Sequence, residues 1–140
     1  MKKWTKESKP YNPGGSGSST VKKTMPAGAV AGTWTYIPAA DKWTFASNEG
    51  KTYRNEWAYI YNPYATGTQP KASWYFFDAN GIMLTGYQWI PSLAGGYRLF
   101  YFHEAPDGDR GRMYENQATP NGGYADQTGW VYINGVLQVK

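Results

Sequence analysis

An all-β fold of short hairpins stacked into a short solenoid is what this sequence predicts, and three observations carry the prediction. Apolar residues recur at every second position in several short runs, which is the period of a strand. The runs resemble one another along the chain, which is the mark of a repeat architecture. Nowhere does a 3.6-residue apolar stripe continue long enough to make an amphipathic helix.

The composition sets the frame. Of 140 residues, 13 are Tyr and 7 are Trp, and aromatics make up 18%. Ordinary cores are built mostly from aliphatic side chains, so indoles and phenols must here supply core, binding surface or both. There is no cysteine, which excludes disulfide frameworks, zinc ribbons and thiol catalysis. The net charge is +4, and the basic residues are scattered apart from Lys2-Lys3 and Lys22-Lys23. That is not the continuous basic stripe of a nucleic-acid binder. No run of about 18 apolar residues is present to insert into a membrane. Lys2 and Lys3 have no apolar stretch behind them, so the start is not a signal peptide. An exported form would carry its leader in a longer chain.

Residues 1–31 read as a flexible linker, with Pro10, Pro13, Gly14, Gly15, Gly17, Pro26 and Gly28 among Ser, Thr and Lys. Such a stretch buries too little apolar surface to offset the entropy of ordering. Trp4 and Tyr11 are its two large aromatics.

The repeat module spans 32–140. Trp34-Thr35-Tyr36-Ile37, Trp57-Ala58-Tyr59-Ile60, Tyr87-Gln88-Trp89-Ile90 and Trp130-Val131-Tyr132-Ile133 share one pattern: aromatic, any residue, aromatic, Ile. Between them lies a second type of strand. Trp43-Thr44-Phe45 precedes Gly50, and Trp74-Tyr75-Phe76-Phe77-Asp78 precedes Gly81, both with seven residues from Trp to Gly. Leu99-Phe100-Tyr101-Phe102-His103 is a third copy, with a longer turn before Gly111. Alternation puts Trp74 and Phe76 on one face and Tyr75 and Phe77 on the other. Asp78-Ala79-Asn80-Gly81 is read as a tight hairpin turn, and Ser47-Asn48-Glu49-Gly50 likewise. A single hairpin cannot bury its apolar face. Stacked neighbours can, and the last unit must then differ in order to cap the stack.

The run Trp74-Tyr75-Phe76-Phe77-Asp78-Ala79-Asn80-Gly81-Ile82-Met83-Leu84-Thr85-Gly86-Tyr87 resembles the choline-binding, or cell-wall-binding, repeat of bacterial surface proteins, with Tyr87 where that repeat usually has Trp. The unit from Trp43 is more divergent, having Glu56-Trp57 for Gly-Trp. The third unit replaces Trp by Leu99 but keeps Gly111-Arg112-Met113. The tail from Met113 to Lys140 is similar to closing repeats of clostridial-type surface proteins.

The resemblance implies β-hairpins stacked in a superhelix, a location outside a Gram-positive cell, and a partner in the choline of teichoic acids or in wall polysaccharide. It implies no cofactor and no catalysis in this module; any catalytic domain lies elsewhere in a longer chain. It also implies binding sites between consecutive hairpins. A quaternary ammonium makes no ordinary hydrogen bonds and is held by aromatic faces. Carried onto this sequence, one cage would comprise Trp43, Trp57 and Phe76, with Trp74 beside it. A second would comprise Trp74, Tyr87 and Tyr101, with Met83 as floor. Two other readings use the same repeats. Aromatic faces can stack on sugars, with Asn62, Gln88 and Arg98 orienting hydroxyls. The repeats can also be a spacer that presents the long loops at 61–73 and 104–110.

Other chemistry is poorly served. His103 is the one histidine, and it falls at the Asp position of a repeat, in a turn rather than a triad. Glu104, Asp107 and Asp109 cluster near Gly108, but their spacing is not that of an EF-hand loop.

Overall fold

The computed structural model describes residues 25–140, so residues 1–24, including Trp4 and Tyr11, lie outside the described residues. Three two-stranded antiparallel hairpins follow one another: β1 (Gly32–Ile37) with β2 (Lys42–Ser47), β3 (Glu56–Tyr61) with β4 (Ala72–Phe77), and β5 (Gly86–Pro91) with β6 (Tyr97–Phe102). A four-stranded meander closes the chain: β7 (Gln117–Thr119), β8 (Gly123–Ala125), β9 (Val131–Ile133) and β10 (Val136–Leu137). The only helical piece among the described residues is a 3-10 turn at Pro120–Gly122. No described helix is long and apolar enough to cross a membrane.

The aromatic register builds the stack. In the first hairpin Trp34 faces Phe45 and Tyr36 faces Trp43. The second repeats this with Trp57 opposite Phe76 and Tyr59 opposite Trp74. The third has Tyr87 opposite Tyr101 and Trp89 opposite Leu99. These cross-strand pairs give each hairpin one face of four large side chains. That face packs on the opposite face of the next unit. Thus Trp34, Trp43 and Phe45 form one core with Ala58, Ile60, Tyr75 and Phe77. Phe76 and Trp57 form the next with Ile90, Phe100 and Phe102. Leu99, Tyr101, Tyr87 and Trp89 pack against Ala125, Val131 and Ile133 in the last. Phe77, Phe102 and Val131 hold the centre of each layer at 0% exposure.

The pairing phase differs from the sequence expectation. The hairpin loops are at Pro38–Asp41, 62–71 and 92–96, and Asp78–Gly81 instead connects one hairpin to the next. It makes a small β-bridge between Phe77 and Met83. Gly81 has φ 81° while Asn80 is not left-handed, so this is not the two-residue hairpin turn that Asn-Gly suggests. Its shape comes from Asp78, whose Oδ1 accepts the Asn80 and Ile82 amides at 2.8 and 2.9 Å, an Asx turn. The same connection recurs at Ser47–Gly50, His103–Gly111 and Asp126–Gly129, each closed by a bond from the glycine N–H to the first residue's carbonyl. The unit around Asp126 is thus a fourth copy. There the small bridge has grown into the β8–β9 pair, with Ala125 opposite Val131, and so the final unit caps the stack.

Hydrogen bonds between units keep the layers in phase. The Met83 amide donates to the Trp43 carbonyl and the Met113 amide to the Trp74 carbonyl, both at 2.9 Å. Val30, in the stretch expected as linker, bridges Ile60 in parallel. Its amide donates to Tyr59 and its carbonyl accepts from Tyr61, both at 2.8 Å.

Candidate functional site

The aromatic residues expected to bind ligand fall into three layers rather than two cages. Trp43 is 2% exposed and lies in the first layer with Trp34, Tyr75 and Met83. It is not grouped with Trp57 and Phe76, which belong to the second layer. Met83 likewise floors the first layer. Tyr87 and Tyr101 do meet, with ring centroids 4.8 Å apart at 63°, but in the third layer and away from Trp74. Tyr87 is held there by its hydroxyl, which donates to the Pro120 carbonyl and lies in hydrogen-bond contact with Thr119 Oγ1 at 2.8 Å. Tyr101 donates to Glu104 at 2.7 Å. Burial pushes the Tyr101 hydroxyl above its ordinary pKa, and the Glu104 carboxylate adds to the shift.

The regrouping has one cause. Expected cages joined residues across the Gly50 and Gly81 turns, whereas the strands pair across the loops at 38–41, 62–71 and 92–96. A shift of one strand in hairpin phase moves every aromatic partner by half a unit.

What the second layer assembles is an open aromatic cavity of about 460 Å³, walled by Trp57, Trp74, Phe100 and Met113 and rimmed by Glu115, Gln127 and Thr128. The two indoles stand nearly perpendicular, at 88° with centroids 6.3 Å apart. Phe100 meets the Trp57 ring at 4.8 Å and 69°. Tyr59 backs Trp74 at 4.8 Å, which fixes the indole while leaving it 38% exposed. Met113 is pressed into the floor by the Asp126–Gly129 turn. A Cβ on Gly129 would come within 2.5 Å of its sulfur, and the residue sits at φ 91°, so only glycine fits. Among the described residues, the Glu115 carboxylate is the one anionic group on this cavity.

Aromatic faces, a polarisable thioether and one carboxylate favour a cation that needs no hydrogen bonds. Of the residues expected at a site, Trp57 and Trp74 are in this cavity. Phe100, Met113 and Glu115 were not anticipated. The Gly111-Arg112-Met113 signature was legible, but its place in the stack was not, because it depends on which strands pair.

A second groove, of about 580 Å³, shares Trp57 and Phe100 as lining and includes Asn55, Ser92, Arg98 and Trp130. The Arg98 guanidinium lies 5.0 Å above the Trp130 ring. Of the three polar residues expected to orient a sugar, Arg98 lines this groove. Asn62 accepts the Tyr64 amide and Gln88 donates to the Thr85 carbonyl.

His103 replaces the turn-capping Asp of its repeat, as its position suggested. Its Nδ1 meets the Tyr114 hydroxyl at 2.7 Å and its Nε2 meets Asp107 at 2.9 Å. The nearby carboxylates are occupied within the loop: Asp109 pairs with Arg112 at 3.0 Å and Glu104 accepts from Tyr101. Among the described residues no cluster of three metal-ligating side chains occurs.

No family model and no curated protein sequence matches the chain. Solved structures do. The modular Cpl-1 endolysin, solved with a peptidoglycan analogue, is 23% identical with a TM-score of 0.52, and the match covers 79% of this chain and 27% of the endolysin. The choline-binding domain of CbpL from Streptococcus pneumoniae is 18% identical with a TM-score of 0.44, covering 74% of this chain and 45% of that one. The autolysin LytC from Streptococcus pneumoniae, solved with a synthetic peptidoglycan ligand, is 16% identical with a TM-score of 0.24, covering 73% and 28%. The chain therefore spans less than half the length of each of these proteins. The likeness to the Cpl-1 endolysin, at a TM-score of 0.52, is one of fold, which in this chain is three β-hairpins and a closing meander stacked through aromatic layers.

Proposed function

We propose that this chain is a non-catalytic attachment module that binds choline, or a related quaternary ammonium, on bacterial wall polymers. The observation that supports this is the open second-layer cavity, where Trp57, Trp74 and Phe100 surround a Met113 floor beside Glu115. Each aromatic face contributes about 0.5–2 kcal/mol to a bound cation. Three faces and one carboxylate then correspond to affinity on the order of millimolar. Weak single sites suit a polymer ligand, since several modules on one surface raise avidity. The module works outside the cell, joined to a further domain in a longer protein. Titration with choline chloride, followed by tryptophan fluorescence, tests the reading. A saturable change in the millimolar range is expected, and no response at tens of millimolar would remove choline as the ligand.

The groove beside Arg98 favours a second reading, in which the same layer contacts glycan. Trp57 and Trp130 offer apolar walls, and Asn55, Ser92 and Arg98 offer polar contacts along its rim. Pull-down on purified peptidoglycan or glucan, with free choline as competitor, separates the two: glycan binding persists under competition and choline binding does not. A ligand-free spacer is the poorer reading, because Trp74 is kept 38% exposed at a concave site.

A further inference from the structure

The second groove carries a charge that the stack does not require. Arg98 stands opposite Ile90 in the third hairpin, at the position that Ser73 holds opposite Ile60 in the second. Ser73 is small and buried, so pairing these strands does not call for a long basic side chain. The backbone of Arg98 is fixed on both edges. Its strand pairs with β5, and Arg98 itself bridges Val139 on the other side. Next to it the Tyr97 amide donates to the Lys140 carbonyl at 3.0 Å, and the Lys140 amide donates back to the Tyr97 carbonyl at 3.2 Å.

The guanidinium is positioned but left short of partners. It lies 5.0 Å above the Trp130 ring, and its Nη1 donates to the Tyr97 carbonyl at 3.1 Å and to the Gly95 carbonyl at 3.4 Å. Nε is buried with no acceptor, and Nη2 bonds nothing among the described residues. Among those residues no carboxylate pairs with Arg98, and none lines the groove. A buried donor without an acceptor calls for one. Nε and Nη2 form the side fork of a guanidinium, whose two parallel N–H groups match two oxygens of a carboxylate or phosphate. The rings of Trp57, Phe76, Phe100 and Trp130 wall the groove. The open cavity shares Trp57 and Phe100 with it yet carries the Glu115 carboxylate. The one favours a cation and the other an anion.

We infer that this groove takes an acidic sugar: an apolar sugar face packs on the aromatic wall, and a carboxylate or phosphate of the same unit bonds the Nε–Nη2 fork of Arg98. The sugar rests on the glycan reading of the groove; the anion does not. Carboxylate and phosphate are two sources of one oxyanion chemistry. Holding the guanidinium on Trp130 and two backbone carbonyls beforehand lowers the entropy lost when the pair forms. Apolar walls that exclude water strengthen the pair once formed.

The test titrates the full chain with N-acetylglucosamine, N-acetylmuramic acid, the phosphate ester of N-acetylglucosamine, and inorganic phosphate, all at fixed ionic strength. The Arg98 Nε–H and Trp130 indole N–H resonances report binding. An acidic sugar should move both signals and bind about tenfold or more tightly than the neutral one. Comparing the two acids tells carboxylate from phosphate, and added salt should narrow their advantage. Arg98→Met keeps an apolar stem over Trp130 and should bring all three sugars within about twofold of one another. Arg98→Lys keeps the charge without the fork and should retain a smaller preference. Acidic and neutral sugars binding alike in the native chain would overturn the anion site and leave the glycan reading standing. A preference undiminished in Arg98→Met would do the same. Inorganic phosphate moving the Arg98 signal, with no sugar reaching Trp130, would instead remove the glycan reading and keep the anion site. An Arg98 Nε–H unmoved by all three anions would end the proposal.

Discussion

Replacing Trp74 by alanine separates binding from folding, because this indole belongs to a cavity wall more than to the core. It is 38% exposed and is held by Tyr59 on one side and the edge of Trp57 on another. Truncating a fully buried Trp costs about 3–5 kcal/mol. With more than a third of the ring already in water, the loss at this site should be about 2 kcal/mol. The cost to a bound cation is the loss of one face, about 0.5–2 kcal/mol, or roughly a 2- to 30-fold rise in Kd. Trp43→Ala provides the contrast. That side chain is 2% exposed between Trp34 and Tyr36 and should cost the full 3–5 kcal/mol, with little direct effect on the open cavity. Calorimetric titration with choline and urea unfolding of both variants give the four numbers needed. The reasoning fails if Trp74→Ala binds choline as tightly as the native chain. It also fails if the two substitutions prove equal in stability.

Glu115→Gln should weaken choline binding a few-fold and flatten its dependence on ionic strength, because one partly exposed carboxylate supplies the local negative charge; titrations at low and high salt measure this. Gly111→Ala should destabilise the fold by about 2 kcal/mol or more, since its φ of 91° and the Met83 sulfur 2.2 Å from the new methyl both oppose a side chain; urea midpoints report it. Alkaline pH should unfold the chain early. Burial first, and then the Asp109 charge on Tyr75 and the Glu104 carboxylate on Tyr101, raise these hydroxyls above their ordinary pKa. The neutral form is thus favoured in the folded state. That stability is complete below about pH 10, the unfolded pKa, and is lost as pH climbs toward the folded values. Tyrosinate absorbance at 295 nm should rise together with loss of the near-ultraviolet circular dichroism, and titration of all tyrosines before unfolding would refute the assignment.

Much of this protein was legible from local signals. Period-2 aromatic runs identify strands, since alternate residues face opposite sides of a pleated backbone whatever the partner. The recurrence of Trp-x-Tyr-Ile and of Gly-x-Met identifies repeats, and a hairpin's inability to bury its own face implies stacking with an unlike last unit. Even His103 was correctly placed at a turn, at the position that Asp78 and Asp126 hold in their repeats, although its ring meets Tyr114 and Asp107 rather than the turn amides. These inferences need only neighbours in sequence.

Tertiary structure decided the phase. Each of the first two second-type strands has turns on both sides, one with Asn-Gly or Ser-Asn-Glu-Gly and one with Pro, and local turn chemistry favoured the former as hairpin. The register that packs four aromatics together in each of the first two hairpins, in the second Trp57 and Tyr59 against Phe76 and Trp74, pairs the strands across residues 62–71 instead. Burial of several large rings outweighs the preference of one turn, because each ring is worth more than a turn's few tenths to one kcal/mol. Only after that pairing is set do Phe100, Met113 and Glu115, from 26 to 41 residues beyond Trp74, come together with it at the second layer. Sequence therefore determines that this chain is a stack of aromatic hairpins, and three-dimensional packing determines which layer opens a cavity and which is closed.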